Sequence, residues 1–462
     1  MPSDPAATKR LRGYCSLCRS RCGAIYTVRG GRLTGVAPDP DHPTGGALCA
    51  KGRALPELLH HPDRLRRPLR RTTPRGAADP GWVEIGWDEA LDDIASRMAA
   101  IRDRHGAEAV AFACTTPSGS ALSDSLDWIL RMIWQFGSPN LVASVELCNF
   151  QKDYAQAFTF GQALGTPDYE RSDIIVLWGH NPARTWLAQA QRIAEARRRG
   201  ARLVVIDPKK AGSGEQADLW LRIRPGTDAA LAMGAIRHLL ATKRFATDFV
   251  RDWTDAAFLI DRHSDTRLPA ADVAEAQEGF VICRTGAGPV PVDPGRLAGL
   301  PADTDLFFTG SVTDRRGRPR QVASALALLR EAAEPWTTAR VAQATGIPGT
   351  ILREFYDLLA GPGRLSYAHW TGFAQGPDAT RTTRAINSLF ALRDDVDAPG
   401  GNRWLKGPDL GRIADPALLS EDRRDRSLAR EDLPLGPPRH GFVTLRDLCE
   451  SIMGSAPNRV RM

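Results

Sequence analysis

The sequence predicts an α/β protein that opens with a small cysteine-rich domain. Three observations carry that expectation. Four of the eight cysteines fall between residues 15 and 49. From residue 173 to 241, apolar β-branched runs alternate with amphipathic helical patterns, which argues a parallel sheet covered on both faces. The turns closing those runs are rich in Gly, Asn, Pro and Asp, at the carboxyl ends of strands where such sheets bind ligands.

Cys15, Cys18 and Cys22 are spaced C-x2-C-x3-C, and Cys49 follows after a glycine-rich excursion. Three thiolates on one loop and a fourth from elsewhere are what a [4Fe–4S] cluster needs, one external thiolate for each iron. A structural zinc site usually pairs two closely spaced couples, and the second couple is missing here. Disulfides suit small secreted domains, and this chain is neither small nor visibly secreted.

The 462 residues, 42% apolar and 25% charged, have the composition of an ordinary globular protein with room for several domains. The net charge of +7 is spread among mixed signs. That balance argues against a nucleic-acid partner and suits an anionic cofactor. The start, MPSDPAATKRLRGYC, has neither an apolar h-region nor a twin-arginine signal, and no apolar run is long enough to span a membrane. The expected location is the cytoplasm, where thiols stay reduced.

In chain order, residues 56–76 are Arg- and Pro-rich and read as an irregular connector. Ala90, Leu91, Ile94, Met98 and Ile101 set a helix over 88–105, with acids early and bases late. AVAFAC (109–114) reads as a buried strand, TTPSGSALSD as a loop, and 123–136 as a helix stopped by GSPN. Strands follow at 173–178, 201–207 and 218–223, with helices at 185–199 and 228–241. The run Arg197-Arg198-Arg199 suits a helix C-terminus. Residues 262–320 favour turns and loops over a separate core. Helices are expected at 321–333, as a pair over 337–361, at 379–392 and at 443–453, with a strand over 364–373.

The strand ends are GHNPA (179–183), Asp207-Pro208 and PGTD (225–228), without the GxGxxG of an ordinary NAD site. At Gly179 and Asn181 the backbone can come close and helix-start N–H groups can bind phosphate, or the pair is ordinary turn punctuation. Asp207 can accept from ribose hydroxyls. Asp228 can accept from a guanine edge or serve as the first acid of a helix. His180 and His369 read as structural, and Cys114, Cys283 and Cys449 as buried thiols.

The chain resembles the molybdopterin oxidoreductases, the dimethyl-sulfoxide-reductase superfamily, in its iron–sulfur-containing branch. The resemblance rests on C-x2-C-x3-C…C-x-K-G (15–52), WDEAL (87–91), WGHNP (178–182), Asp207-Pro208, PGTDAAL (225–231) and PGGN (399–402). It implies a [4Fe–4S] domain over 1–62 and a second α/β domain over 63–143 plus 350–462. A third α/β domain, 144–349, is inserted in the second, and the family's C-terminal barrel is missing. It implies two pterin guanine dinucleotides holding molybdenum or tungsten, with Cys148 as protein ligand to the metal, where a soft thiolate suits the site. Lys51 would lie between cluster and pterin. Gly179, Asn181, Asp207, Pro208, Gly226, Thr227 and Asp228 would bind one dinucleotide. The implied reaction is two-electron oxidation or reduction of a small molecule, with an electron-transfer protein as partner; either the sequence is truncated or a separate polypeptide supplies the missing domain. Formate dehydrogenases have His after the ligand; here Asn149 stands there, which turns the expectation away from formate. The rival expectations are an inactive truncated product and an electron-transfer or structural iron–sulfur component of a larger redox complex.

Overall fold

The computed structural model describes residues 7–18, 20–114, 126–148, 150–275, 278–293, 295, 299–407, 413–430, 433, 435–454 and 460–461. The chain forms two compact units. One comprises Met1–Phe150, Thr185–Gln191 and Gly407–Met462; the other comprises Gln151–Arg184 and Arg192–Lys406.

The first unit begins with an antiparallel meander of β1 (Thr8–Tyr14), β2 (Gly23–Arg29) and β3 (Arg32–Pro38). Gly30 (φ 52°) and Gly31 (φ 75°) close the β2–β3 hairpin as a two-residue turn whose positive φ angles match the strands' twist. After a short hairpin of Leu69–Arg71 and Trp82–Glu84 comes α1 (Trp87–His105). Its first turn carries Asp88 and Glu89 and its last Arg102, Arg104 and His105, in line with the helix dipole. The helix forms as expected, but its apolar stripe is not a core face: none of its residues is fully buried. AVAFAC contributes only the strand Phe112–Ala113, because 107–109 turn as a 3-10 helix. That strand pairs in parallel with Leu141–Val142, and Val142 bridges in parallel to Val443. α2 spans Leu126–Phe136, and the loop expected over 115–124 lies outside the described residues. α3 (Val145–Cys148) is a single turn. Leu445–Met453 is the last helix, capped by Thr444 Oγ1 accepting from Asp447 N.

The second unit is built on the parallel sheet the sequence announces. β4 (Ile174–Trp178), β5 (Arg202–Ile206) and β6 (Leu219–Leu221) appear in place, followed by α4 (Asp228–Ala241). Alternation sends Ile174, Val176, Trp178, Val204 and Ile206 into one core layer, with Leu231 and Ile236 of α4. Ile175, Leu177, Leu203 and Val205 go into the opposite layer, with Ile193 and Ala196. The helix expected over 185–199 is broken into Pro182–Thr185 and Leu187–Arg198.

The sequence does not announce two features of this unit. First, a strand from late in the chain joins its parallel sheet. β7 (Leu365–His369) pairs in parallel with β4, from Leu365↔Ile174 to His369↔Trp178, completing the order β6–β5–β4–β7. With α5 (Ala379–Ala391), β7 groups with the compact unit that begins at Gln151. The buried apolar run LSYAH has no solvent-facing side, so it docks on the open flank of the most buried strand. Second, 262–320 is not a loop region. Thr266–Arg267, Leu259–Asp261, Pro319–Ser324 and Thr309–Thr313 form an antiparallel sheet in that order, beside a hairpin of Phe280–Arg284 and Gly288–Val292. Leu259, Leu268, Val281, Cys283, Val312 and Val322 form its core. Pro289 and Pro291 disguise one strand, yet they sit on a two-stranded ribbon, where a missing N–H is tolerated at the edge. The helix expected from 321 starts at Ala325, because Ser324 ends the strand and caps the helix, its Oγ accepting from Ala327 N at 3.2 Å.

Candidate cofactor sites

In the first unit the β1–β2 hairpin brings Cys15 and Cys22 together at its tip, where Cys15 N donates to Cys22 O at 2.8 Å. Residues 42–44 pack against the start of β2: Gly23 N donates to Thr44 Oγ1 at 2.8 Å, and a Cβ on Gly23 would fall 2.2 Å from His42 Cβ. Cys49 precedes the turn Ala50–Arg53. A Cβ on Gly52 would stand 2.5 Å from Leu48 Cδ1 and 3.3 Å from Cys15 Sγ, so glycine lets this turn close on the first cysteine. Cys15 and Cys22 are buried with Ala47 and Leu48.

The sulfurs feel one another. Burial pushes the Cys22 thiol up to about 11, with Cys18, Cys15 and Cys49 adding to the rise. Burial also raises Cys15, helped by Cys18 and Cys49 and opposed by the charge of Lys51. Crowded thiols in an apolar pocket resist ionisation until a cation lies among them, when the logic inverts. Among the described residues no three His, Cys, Asp or Glu side chains are gathered at the spacing of a single ion. A [4Fe–4S] cluster takes one thiolate on each of its four irons. Four mutually interacting cysteines supply that donor set, with exposed Lys51 in electrostatic reach of Cys15.

Cys148 ends α3 in the same unit. Its N–H donates to Ser144 O at 2.8 Å, and its side chain is exposed. Glu146 Oε1, on the same turn, accepts from Leu445 N at 2.8 Å and so holds α3 against the last helix. Asn149 lies outside the described residues. Of the three lone cysteines, only Cys283 is buried; Cys114 is half-buried and Cys449 exposed, against expectation.

The dinucleotide candidates gather at the carboxyl edge of the parallel sheet in the second unit. Gly179 has φ +58°, and a Cβ there would lie 3.0 Å from Gly372 Cα. The two backbones cross in contact, with Gly372 N donating to Gly179 O at 3.1 Å. Asn181 spends its side chain on the protein: Nδ2 donates to Ala211 O (3.0 Å) and Oδ1 accepts from Ser213 N (3.1 Å). It ties the turn after β4 to the one after β5, and Ser213 Oγ takes the N–H of Ala183. Asp207 Oδ1 accepts from Lys209 N at 2.8 Å, beside exposed Pro208. Gly226 (φ 83°) is open, with nothing within 4 Å of where a Cβ would sit. Thr227 Oγ1 donates to Arg224 O at 2.7 Å, closing that turn internally. Asp228 lies below the edge rather than on it. It is buried, its Oδ1 accepts from Trp178 Nε1 at 2.7 Å, and burial raises its carboxyl above the usual range.

One residue read as merely structural stands at the same edge. His369 ends β7, its Nε2 3.0 Å from Gln156 Oε1. Burial, then the charges of Lys152 and His180, push it down to about 3, so its imidazole is neutral. The only signal in the sequence was its place at a strand's carboxyl end.

Residues 64–403 match the family model described as molybdopterin oxidoreductase, and residues 8–61 match that of the molybdopterin oxidoreductase Fe4S4 domain. The chain belongs to the molybdopterin oxidoreductase family. Within that family it is 27% identical over 429 residues to a sulfite dehydrogenase chain from Allochromatium vinosum, covering 84% of this chain and 43% of that one. It is 27% identical over 447 residues to the alpha chain of formate dehydrogenase 2 (cytochrome c-553) from Nitratidesulfovibrio vulgaris, covering 89% and 40%. The solved acetylene hydratase from Pelobacter acetylenicus shares the fold, with a TM-score of 0.67 at 20% identity over 92% of this chain and 49% of that one. The molybdopterin oxidoreductase chain thus spans less than half the length of these relatives. No helix among its described residues is long and apolar enough to cross a membrane.

Proposed function

We propose that the chain carries the cluster and one dinucleotide of a molybdenum or tungsten bis(pterin guanine dinucleotide) oxidoreductase. The carrying observation is the convergence of Cys15, Cys18, Cys22 and Cys49, the first and third buried against Ala47 and Leu48 and the other two half-buried, with Lys51 in electrostatic reach. When bound, the metal–pterin centre would exchange two electrons with a small-molecule substrate, with oxygen-atom or hydride-equivalent transfer, and the cluster would pass them singly to a partner protein. The chain's part is positioning. The four cysteines hold the cluster, and Lys51 sets a positive charge beside it. Cys148, exposed at the end of α3, offers a soft thiolate to the metal. Gly226 leaves the sheet edge open to a phosphate or ribose, Gly179 lets the turn after β4 close on Gly372, and Asp207, Pro208 and Thr227 shape the turns beside them. Asn181 acts by fixing those turns, and Asp228 by fixing Trp178 beneath them. Polypeptide beyond these residues, from the same or a second chain, would close over the site.

The inward use of Asn181 and Asp228 favours a second reading, an iron–sulfur component of a larger redox complex without its own metal–pterin centre. Anaerobic isolation decides between them. The first reading expects about four iron atoms and one molybdenum or tungsten per active unit, and a fluorescent pterin on oxidation. Iron with neither metal nor pterin supports the second. In Cys148→Ala the cluster's reduction signal should survive while turnover is lost; loss of the cluster signal would overturn the assignment of Cys148.

A further inference from the structure

The carboxyl end of β7 holds buried polar groups that neither the cysteines nor the dinucleotide turns use. His369 is 1% exposed and Gln156 fully buried. Gln156 Nε2 donates to the Tyr367 hydroxyl at 3.0 Å, which leaves Oε1 to face His369 Nε2. The imidazole must therefore donate from Nε2–H and keep Nδ1 as a bare acceptor. Nδ1 has no hydrogen-bond partner among the described residues. Asn387 on α5 is in the same condition: fully buried, with both Oδ1 and Nδ2 unpartnered among the described residues. Its neighbours on the helix show where it faces. Thr383, one turn before, reaches Gln151 Oε1 at 3.3 Å, and Phe390, one turn after, stacks on Tyr367 at 3.8 Å. Asn387 thus faces the layer of Gln151 and Tyr367, and His369 touches the same layer through Nε2 on Gln156, which itself donates to Tyr367. The segment from Gln151 to Gln156 starts with a π-helical turn, Gln151–Ala155, a rare widening that recurs at functional sites.

Native interiors fill such places with a partner, because a buried polar atom without one is costly. We infer that His369 Nδ1 and the Asn387 amide form a subsite for an aminopyrimidinone edge, the N–H, NH2 and C=O array that a pterin and a guanine base share. Two acceptors (His369 Nδ1 and Asn387 Oδ1) and one donor (Asn387 Nδ2–H) complement that array. Lys152, whose ammonium lies over the Trp370 ring at 5.4 Å, and His180 disfavour a charge on His369, and burial does so more strongly. The acceptor lone pair is thereby kept. His369 and Asn387 are positioning residues in this role, and the inference deepens the cofactor reading above and rests on it.

The test uses the full chain labelled with 15N-histidine, titrated separately with neopterin and with GMP. Long-range 1H–15N spectra should show His369 as the Nε2–H tautomer, and its Nδ1 resonance should move upfield as the fitting probe donates to it. Calorimetry should show that probe binding about tenfold more weakly to His369→Gln and to Asn387→Leu. Neopterin alone would identify a pterin subsite and GMP alone a guanine subsite. An unmoved Nδ1 resonance at saturation, equal affinity in the variants, or no binding of either probe would overturn the inference. The wild-type spectra carry the test even where a variant fails to fold. Metal and pterin content of isolated protein separates the two readings: pterin present with an unmoved Nδ1 sinks the subsite alone, and a moved Nδ1 with no molybdenum or tungsten sinks the metal–pterin reading alone.

Discussion

Asp228 shows how one residue can match a motif and still do something the motif does not announce. Its place in PGTD raised the expectation of a contact with a base, yet its carboxylate is buried and meets the Trp178 indole at 2.7 Å. Burial outweighs that bond and raises its carboxyl. The folded chain then holds a proton more readily than the unfolded chain. The stability linked to that proton is complete below the unfolded carboxylate value of about 3.9 and is lost as pH rises through the folded value. Asp228→Asn removes the charge and keeps an acceptor for Trp178. Its Tm should therefore exceed that of the wild type at neutral pH, with the gap closing towards about pH 4. Calorimetry over that range checks it, and a lower Tm at neutral pH would refute the argument.

At the scale of elements, the turn after β4 and the one after β7 depend on two glycines in contact. A Cβ on Gly372 would fall 2.5 Å from Gly179 Cα, against backbone rather than a yielding side chain. Gly372→Ala should cost about 1–3 kcal/mol, read as a lower urea midpoint with an unchanged m-value. An unmoved midpoint would mean that the two strand ends separate freely. Elements with one dominant pattern were legible in the sequence. β4, β5 and α4 fall within a residue of their expected bounds, because fully apolar β-branched runs and a clean 3.6 period leave little choice. The sheet within 257–324 was not legible. Its strands are short, half-exposed and interrupted by Gly and Pro, so local sequence resembles a loop and only mutual pairing makes it a sheet.

At the scale of the whole chain, α1 exposes what its pattern promised to a core. Trp87, Leu91 and Ile94 are 63%, 57% and 48% exposed on successive turns of one face. An apolar stripe of this kind is an association surface. The isolated 462-residue chain should self-associate, and Leu91→Glu with Ile94→Glu should shift it towards monomer in sedimentation velocity. The pair should change folding stability by no more than about 0.5 kcal/mol, since neither side chain is buried. A chain monomeric without the substitutions would show that the stripe drives no association.

Consecutive residues were enough to set the cysteine pocket, the parallel strands and the turns at their carboxyl ends. Those features are local: ligand spacing, side-chain period and turn chemistry are each written in a short stretch of chain. It took the packed fold to join β7 to β4 across nearly two hundred residues, and to turn Asn181 and Asp228 inward. Packing also left the His369 and Asn387 side chains with unpartnered atoms among the described residues in one buried layer. Whether a polar side chain is satisfied depends on what packs against it, and no stretch of sequence contains its own neighbours.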